Sequence, residues 1–174
     1  SSDLGSSGRP QKEKMLGKEE RMHIRLLFAS PDQASLSLLQ SIHDSAINLM
    51  CFTTSTATAS NHEALSARVE ENLDDVILLD WPMAESGTPE LVEELLEKNP
   101  KLRVVVLLPM NYRQYRQQVW NAGACNSIPK EYMEQEWFSS IICVMHRAME
   151  REARLRAEYE GRMAPVSECR LVNA

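Results

Sequence analysis

The feature that most constrains the fold is an alternation of short apolar runs with amphipathic helical segments. Residues 75–80 read DVILLD, with four consecutive apolar residues between the two aspartates. A strand with no polar alternation is typical of a parallel sheet that is buried on both faces. Residues 102–108 form a similar run, and helix-like segments separate these runs along the chain. This order predicts βαβ units, which means a parallel sheet with helices on both faces.

Five strands and five helices are predicted. The strands are expected over residues 23–28, 47–53, 75–80, 102–108 and 126–129. The helices are expected to begin at Ser30, Asn61, Thr88 and Asn111, where small polar residues can start a first turn, and near Glu131. In the first of them, Pro31 suits the first helical position and Gln33 completes a capping box with Ser30. The fourth helix is expected to end at Gly123 and the last near Gly161.

Composition excludes several classes of function. The chain has 174 residues with a formal net charge of −6 and a pI of about 5.3, and it lacks a Lys/Arg cluster. We therefore expect no nucleic-acid binding. No apolar run is long enough to cross a membrane. The four cysteines do not have metal-ligand spacing, which is typical of reduced thiols in a cytoplasmic protein. No glycine-rich phosphate loop follows the first strand.

Two charged residues are expected at one edge of the sheet. Asp80 ends the third strand and Lys130 follows the fifth, and the carboxyl ends of parallel strands form the usual binding crevice of an open sheet. The segments around them read DVILLDWPM and NAGACNSIPK. A strand that ends in Asp, followed later by Gly-Ala and then by Lys after a short strand, resembles the receiver domains of response regulators (the CheY-like family). The resemblance covers about residues 22–148.

The resemblance implies a fold and a site. The fold would be flavodoxin-like, with a five-stranded parallel sheet in the order 2-1-3-4-5, helices on both faces and an extended C-terminal helix. Asp80 would be the phosphoacceptor, and Lys130 would pair with the phosphoryl group. Mg²⁺ would be held weakly by Asp80, by Asp32 and by the carbonyl of Pro82. The alternative is that Asp80 and Lys130 form an ion pair without chemistry.

Four positions depart from the family pattern. Ala29 and Ser30 stand where the family has two acidic residues that hold Mg²⁺. Leu108 replaces the hydroxyl residue at the end of the fourth strand and cannot donate a hydrogen bond. Ser127 replaces the aromatic switch residue of the fifth strand. The chain therefore resembles a degenerate receiver, or pseudo-receiver.

The last helix predicts an assembly element. Trp137, Ile141, Val144 and Ala148 follow a 4-3-4 spacing, which predicts a packed seam. The segment beyond Ala148 is highly charged, and Leu155 and Tyr159 continue the seam. We expect a homodimer or a monomer–dimer mixture. The predicted organisation is a polar N-terminal tail over residues 1–21, native or added by cloning, a receiver-like domain over 22–148, and a helical extension or linker with a tail over 149–174.

The expected function is a cytoplasmic signalling module of a bacterial two-component type. It would act through protein–protein interaction, either independently of phosphorylation or weakly phosphorylated. Its partners would be a histidine kinase or an attached output domain. We expect no enzyme activity and no cofactor beyond weakly bound Mg²⁺. One alternative is a working receiver that a histidine kinase phosphorylates on Asp80. A further alternative is a flavodoxin-like domain that binds a small molecule.

Overall fold

The computed structural model of the chain describes residues 22–164. Its five strands are β1 (His23–Ala29), β2 (Thr53–Ala59), β3 (Val76–Asp80), β4 (Arg103–Leu108) and β5 (Asn126–Pro129). All neighbouring strands are parallel, and the order across the sheet is β2-β1-β3-β4-β5. The predicted α/β fold and strand order are confirmed.

The helices alternate with the strands. They are α1 (Gln33–Ala46), α2 (His62–Glu70), α3 (Thr88–Lys98), α4 (Arg116–Asn121) and α5 (Gln135–Met163). Short 3₁₀ turns lie at Ile47–Leu49, Trp81–Met83, Glu85–Gly87, Met110–Tyr115 and Lys130–Tyr132. Within the part of the chain that the structure describes, no helix is long and apolar enough to span a membrane.

The core lies on the two faces of the sheet. On one face, alternate residues of the central strands pack with the buried residues of α2, α3 and α4 in a single apolar cluster. On the other face, Phe28 of β1 meets His43 of α1 and Phe138 at the start of α5, with ring centroids 6.0–6.4 Å apart and edge-on geometry. Burial of both faces explains why β3 is apolar at successive positions.

The predicted second strand over residues 47–53 is wrong. Ile47 and Leu49 lie in an exposed 3₁₀ turn, and the strand is the hydroxyl-rich segment Thr53–Ala59. β2 is an edge strand, so much of its surface stays accessible and it needs few large apolar residues. Threonine also favours strands because it is branched at Cβ.

Two predicted caps are also wrong. The N-cap of α1 is Asp32, whose carboxylate accepts a hydrogen bond from the Ala34 N–H at 3.2 Å, and Ser30 lies outside the helix. Asn111 does not cap α4, because it lies inside the 3₁₀ turn Met110–Tyr115 that precedes this helix. The predicted cap at Asn61 is confirmed, since its side chain accepts from the Ala64 N–H at 2.8 Å.

The predicted seam of the last helix is displaced. Trp137 is 54% exposed and Val144 is 70% exposed, while the buried apolar residues of α5 are Phe138, Ile142 and Met145. The 4-3 spacing was correct, but the apolar residues on neighbouring positions gave two possible faces. Among the described residues, those from 22 to 139 form one compact unit and those from 140 to 164 form a second.

Candidate functional site

Asp80 and Lys130 meet at the carboxyl edge of the sheet. Asp80 ends β3 with its side chain fully buried, and Lys130 directly follows β5. The lysine Nζ donates to Asp80 Oδ2 at 3.0 Å. The lysine side chain is 31% exposed, so it is partly accessible to solvent while the carboxylate is buried. The two residues therefore lie as the parallel topology predicts.

Ser30 is the second partner of the same carboxylate oxygen. Its hydroxyl donates to Asp80 Oδ2 at 2.7 Å, and its Oγ accepts from the Asp32 N–H at 3.2 Å. Ser30 is fully buried and follows β1, at the position where the family carries an acidic residue. Compared with an acidic residue, Ser30 lacks a charge, but its hydroxyl donates a hydrogen bond that the sequence pattern did not predict. In this site a hydroxyl and an ammonium stabilise the charge of Asp80.

The other carboxylate oxygen of Asp80, Oδ1, has different surroundings. Among the described residues no group donates to Asp80 Oδ1, which is buried. An unpaired oxygen on a buried carboxylate is uncommon and calls for a functional or structural reason. It can accept a further donor, a cation or an electrophile.

The residues present fit a divalent cation poorly. Asp32 is exposed, and its carboxylate is used in capping α1 and in accepting from the Ser35 hydroxyl at 2.9 Å. The hydrogen bond from Ser35, with that from the Ala34 N–H, lowers the pKa of Asp32 below its ordinary value. No group of three or more His, Cys, Asp or Glu side chains within residues 22–164 could hold a metal ion. Pro82 is exposed and lies in the 3₁₀ turn that follows Asp80.

Three other positions at which the sequence departs from the receiver pattern lie on β1, β4 and β5. Ala29 and Leu108 are buried at the ends of β1 and β4. Ser127 is half-buried on β5. The side chain of Leu108 has no hydrogen-bond donor for a phosphoryl oxygen. Ser127 has no aromatic ring and so cannot serve as the aromatic switch residue.

Two contacts that the sequence did not predict fix the segment after β4. Both carboxylate oxygens of Glu131 accept from the backbone N–H of Met110, at 3.1 and 3.3 Å. The buried indole of Trp81 stacks on Tyr112, with ring centroids 4.8 Å apart and planes 17° apart, and it also contacts Tyr115 at 4.9 Å. These contacts join three loops of distant sequence, so no periodic pattern announces them.

A basic and aromatic groove lies between α4 and β5. The groove encloses about 440 Å³. Its lining includes Arg113, Arg116, Gln117, Trp120, Asn126 and Ser127. The indole of Trp120 is 60% exposed, and both arginines are exposed. Exposed Trp and Arg side chains are the residue types most enriched in contact hot spots.

Solved receiver structures share this fold. A response regulator receiver domain protein (CheY-like) from Methanospirillum hungatei JF-1 superposes with a TM-score of 0.62 at 18% identity, covering 75% of this chain and 99% of that one. A two-component response regulator from Clostridium difficile gives 0.61 at 17% identity, covering 72% and 98%. A receiver domain protein from Clostridium thermocellum gives 0.59 at 19% identity, covering 76% and 98%.

These comparisons establish the fold. No protein-family model matches the chain, and no curated protein matches it. Because the solved receiver structures superpose on it, the chain has the fold of CheY-like response-regulator receiver domains, as the resemblance implied.

Proposed function

We propose that the chain is a receiver-like regulatory module that works by protein–protein interaction and does not depend on phosphorylation. The observation that carries the proposal is the way Asp80 is held. Its Oδ2 already has two donors, the Ser30 hydroxyl and the Lys130 ammonium. Phosphoryl transfer to a carboxylate needs a cation that neutralises the transferring oxygens. Because Lys130 already balances the charge of Asp80, the site offers little further negative charge to bind such a cation.

The degenerate positions support the same proposal. Mg²⁺ is normally held by carboxylates together with water in an octahedral arrangement. Ala29 supplies no ligand, and Ser30 supplies a neutral hydroxyl that is already in use. Leu108 supplies no donor for a phosphoryl group. We therefore propose a non-enzymatic domain that presents a fixed surface to its partner.

The basic and aromatic groove is the surface that we propose for this partner. Neither Arg113 nor Arg116 has an ion-pair partner among the described residues, although the whole chain is acidic. Most of the lining is exposed, so a small ligand would remain largely in solvent, whereas small-molecule sites bury most of their ligand. An acidic segment of a protein partner would satisfy both guanidinium groups.

A Mg²⁺ titration followed by beryllofluoride tests the independence from phosphorylation. Beryllofluoride mimics a phosphoryl group on Asp only where the metal and the lysine cooperate. We expect the amide NMR spectrum to change little in either step. The matched control adds both acidic ligands, as Ala29→Asp with Ser30→Asp, and should increase the response. A saturable change around Asp80 in the unmodified chain would contradict the proposal.

A second candidate function is that of a working phosphoacceptor. The observation that favours it is Asp80 Oδ1, which is buried without a partner and so remains available as a nucleophile. In this case Asp32 would have to leave its capping position in order to hold the metal. A histidine kinase would then be the partner.

We also propose that the second unit of the chain mediates dimerisation. Val144, Leu155 and Tyr159 are exposed along the same face of α5, together with the half-buried Ile141 and Ala148. The exposed fraction of Leu155 and of Tyr159 is 63%. A second copy of the helix would bury these side chains at a spacing typical of coiled coils. Each buried side chain would contribute about 1.5–3 kcal/mol before ordering costs.

A further inference from the structure

The segment between β4 and α4 is held at two points that belong to different loops. Its first amide, the Met110 N–H, donates to the Glu131 carboxylate. Farther along the segment, Tyr112 stacks on Trp81, which follows Asp80. The 3₁₀ turn Met110–Tyr115 has no side-chain cap at its preceding residue, Pro109.

The contact with Glu131 satisfies a backbone group that the turn itself cannot satisfy. The first N–H groups of a helical turn have no partner within the turn. A carboxylate is a suitable acceptor for such a group because of its negative charge, and here one N–H is shared between both carboxylate oxygens. Glu131 follows Lys130 directly, so the residue that pairs with Asp80 and the residue that holds the turn belong to one short 3₁₀ turn.

The held segment forms one wall of the groove. Arg113 lies in the turn Met110–Tyr115, and Arg116 begins α4 directly after it. Any rotation of this turn would change the distance between the two guanidinium groups and β5. The orientation of the groove therefore depends on what fixes the turn.

We propose that Glu131 is a positioning residue that latches the turn Met110–Tyr115, and with it the groove, in one arrangement regardless of the state of Asp80. The role given to the groove rests on the proposed function, but the latch itself does not. Leu108, the last residue of β4 before this turn, has no hydroxyl through which the turn could respond to a phosphoryl group.

Amide hydrogen exchange measured by NMR on the full chain tests the latch. Glu131→Ala should speed exchange of the Met110 amide about tenfold, because the amide loses its charged acceptor. Glu131→Gln should keep most of the protection, since the side-chain amide oxygen can still accept. Glu134→Ala is the matched control: Glu134 is exposed three residues away, and the variant should exchange as the unmodified chain does.

Fluorescence of Trp81 provides a second readout. In a background with Trp120→Phe and Trp137→Phe, Trp81 is the remaining tryptophan. Glu131→Ala should shift its emission to longer wavelength as the stack with Tyr112 loosens, and Glu131→Gln should not. The latch is overturned if Glu131→Ala leaves both the Met110 amide and Trp81 unchanged. It is also overturned if protection falls equally throughout the sheet, because Glu131 would then be only a general stabilising residue.

The latch and the proposed function fail independently. Phosphorylation of Asp80 in the chain without substitutions would contradict the proposed function. It should leave the exchange of the Met110 amide unchanged. Normal exchange in Glu131→Ala would remove the latch and leave the chemistry of Asp80 untouched.

Discussion

Replacing Lys130 with methionine should destabilise the domain by leaving Asp80 buried without its cation. The substitution keeps a long apolar stem and removes the ammonium that donates to Asp80 Oδ2 at 3.0 Å. Breaking a fully buried pair costs roughly 3–5 kcal/mol, whereas an exposed pair contributes roughly 0–1 kcal/mol. The carboxylate is fully buried and the lysine is 31% exposed, so we expect an intermediate loss of about 2 kcal/mol.

Urea unfolding of four variants measures this loss. Lys101→Met is the control, because Lys101 is an exposed lysine whose ammonium has no contact among the described residues. Asp80→Asn removes the buried charge, so Lys130→Met should cost less in that background, with a coupling of about 1 kcal/mol or more. If Lys130→Met and Lys101→Met have the same unfolding free energy, Lys130 does not stabilise the Asp80 carboxylate.

Three further outcomes are expected. Gly123→Ala should lower the unfolding free energy by about 1–2 kcal/mol, because Gly123 has φ +111° and an added Cβ would lie 2.5 Å from Leu96 Cδ1, whereas Gly87→Ala should be close to neutral because its Cβ would meet nothing within 4 Å. Asp32→Asn should keep the cap but reduce the loss of stability that occurs below about pH 4. The pKa of Asp32 is lowered in the folded state, so its carboxylate contributes stability above the unfolded-state pKa. This contribution is lost as the pH falls through the folded-state pKa. A truncation after Arg147 should be monomeric by light scattering at concentrations where the full chain dimerises, and equal behaviour of the two would exclude α5 as the dimerisation element.

The order of elements could be predicted because burial on both faces leaves a strong signal in the central strands. β3 and β4 have apolar residues at nearly every position. β2 could not be found in this way, because an edge strand made of threonine, serine and alanine has no apolar run. On α5 the neighbouring residues Trp137 and Phe138 are both large and apolar, and only the structure shows that Phe138 is the buried one.

The candidate site was predictable to the same extent as the sheet. Asp80 and Lys130 follow parallel strands, so their approach follows from topology and needs no knowledge of loops. The role of Ser30 as a donor was predictable, since a hydroxyl beside a buried carboxylate usually donates a hydrogen bond to it. The contact between Glu131 and Met110 joins two loops, and loop conformation is not encoded in hydrophobic periodicity.

Intact-mass spectrometry after incubation with acetyl phosphate and Mg²⁺ tests the central claim most directly. We predict that the chain stays almost entirely unmodified. Ala29→Asp with Ser30→Asp should increase the population carrying one added phosphoryl group, because the pair supplies acidic ligands. Asp80→Asn in that restored background should remove the added mass and so identify the acceptor. Stoichiometric, Mg²⁺-dependent phosphorylation of the unmodified chain on Asp80 would contradict the account.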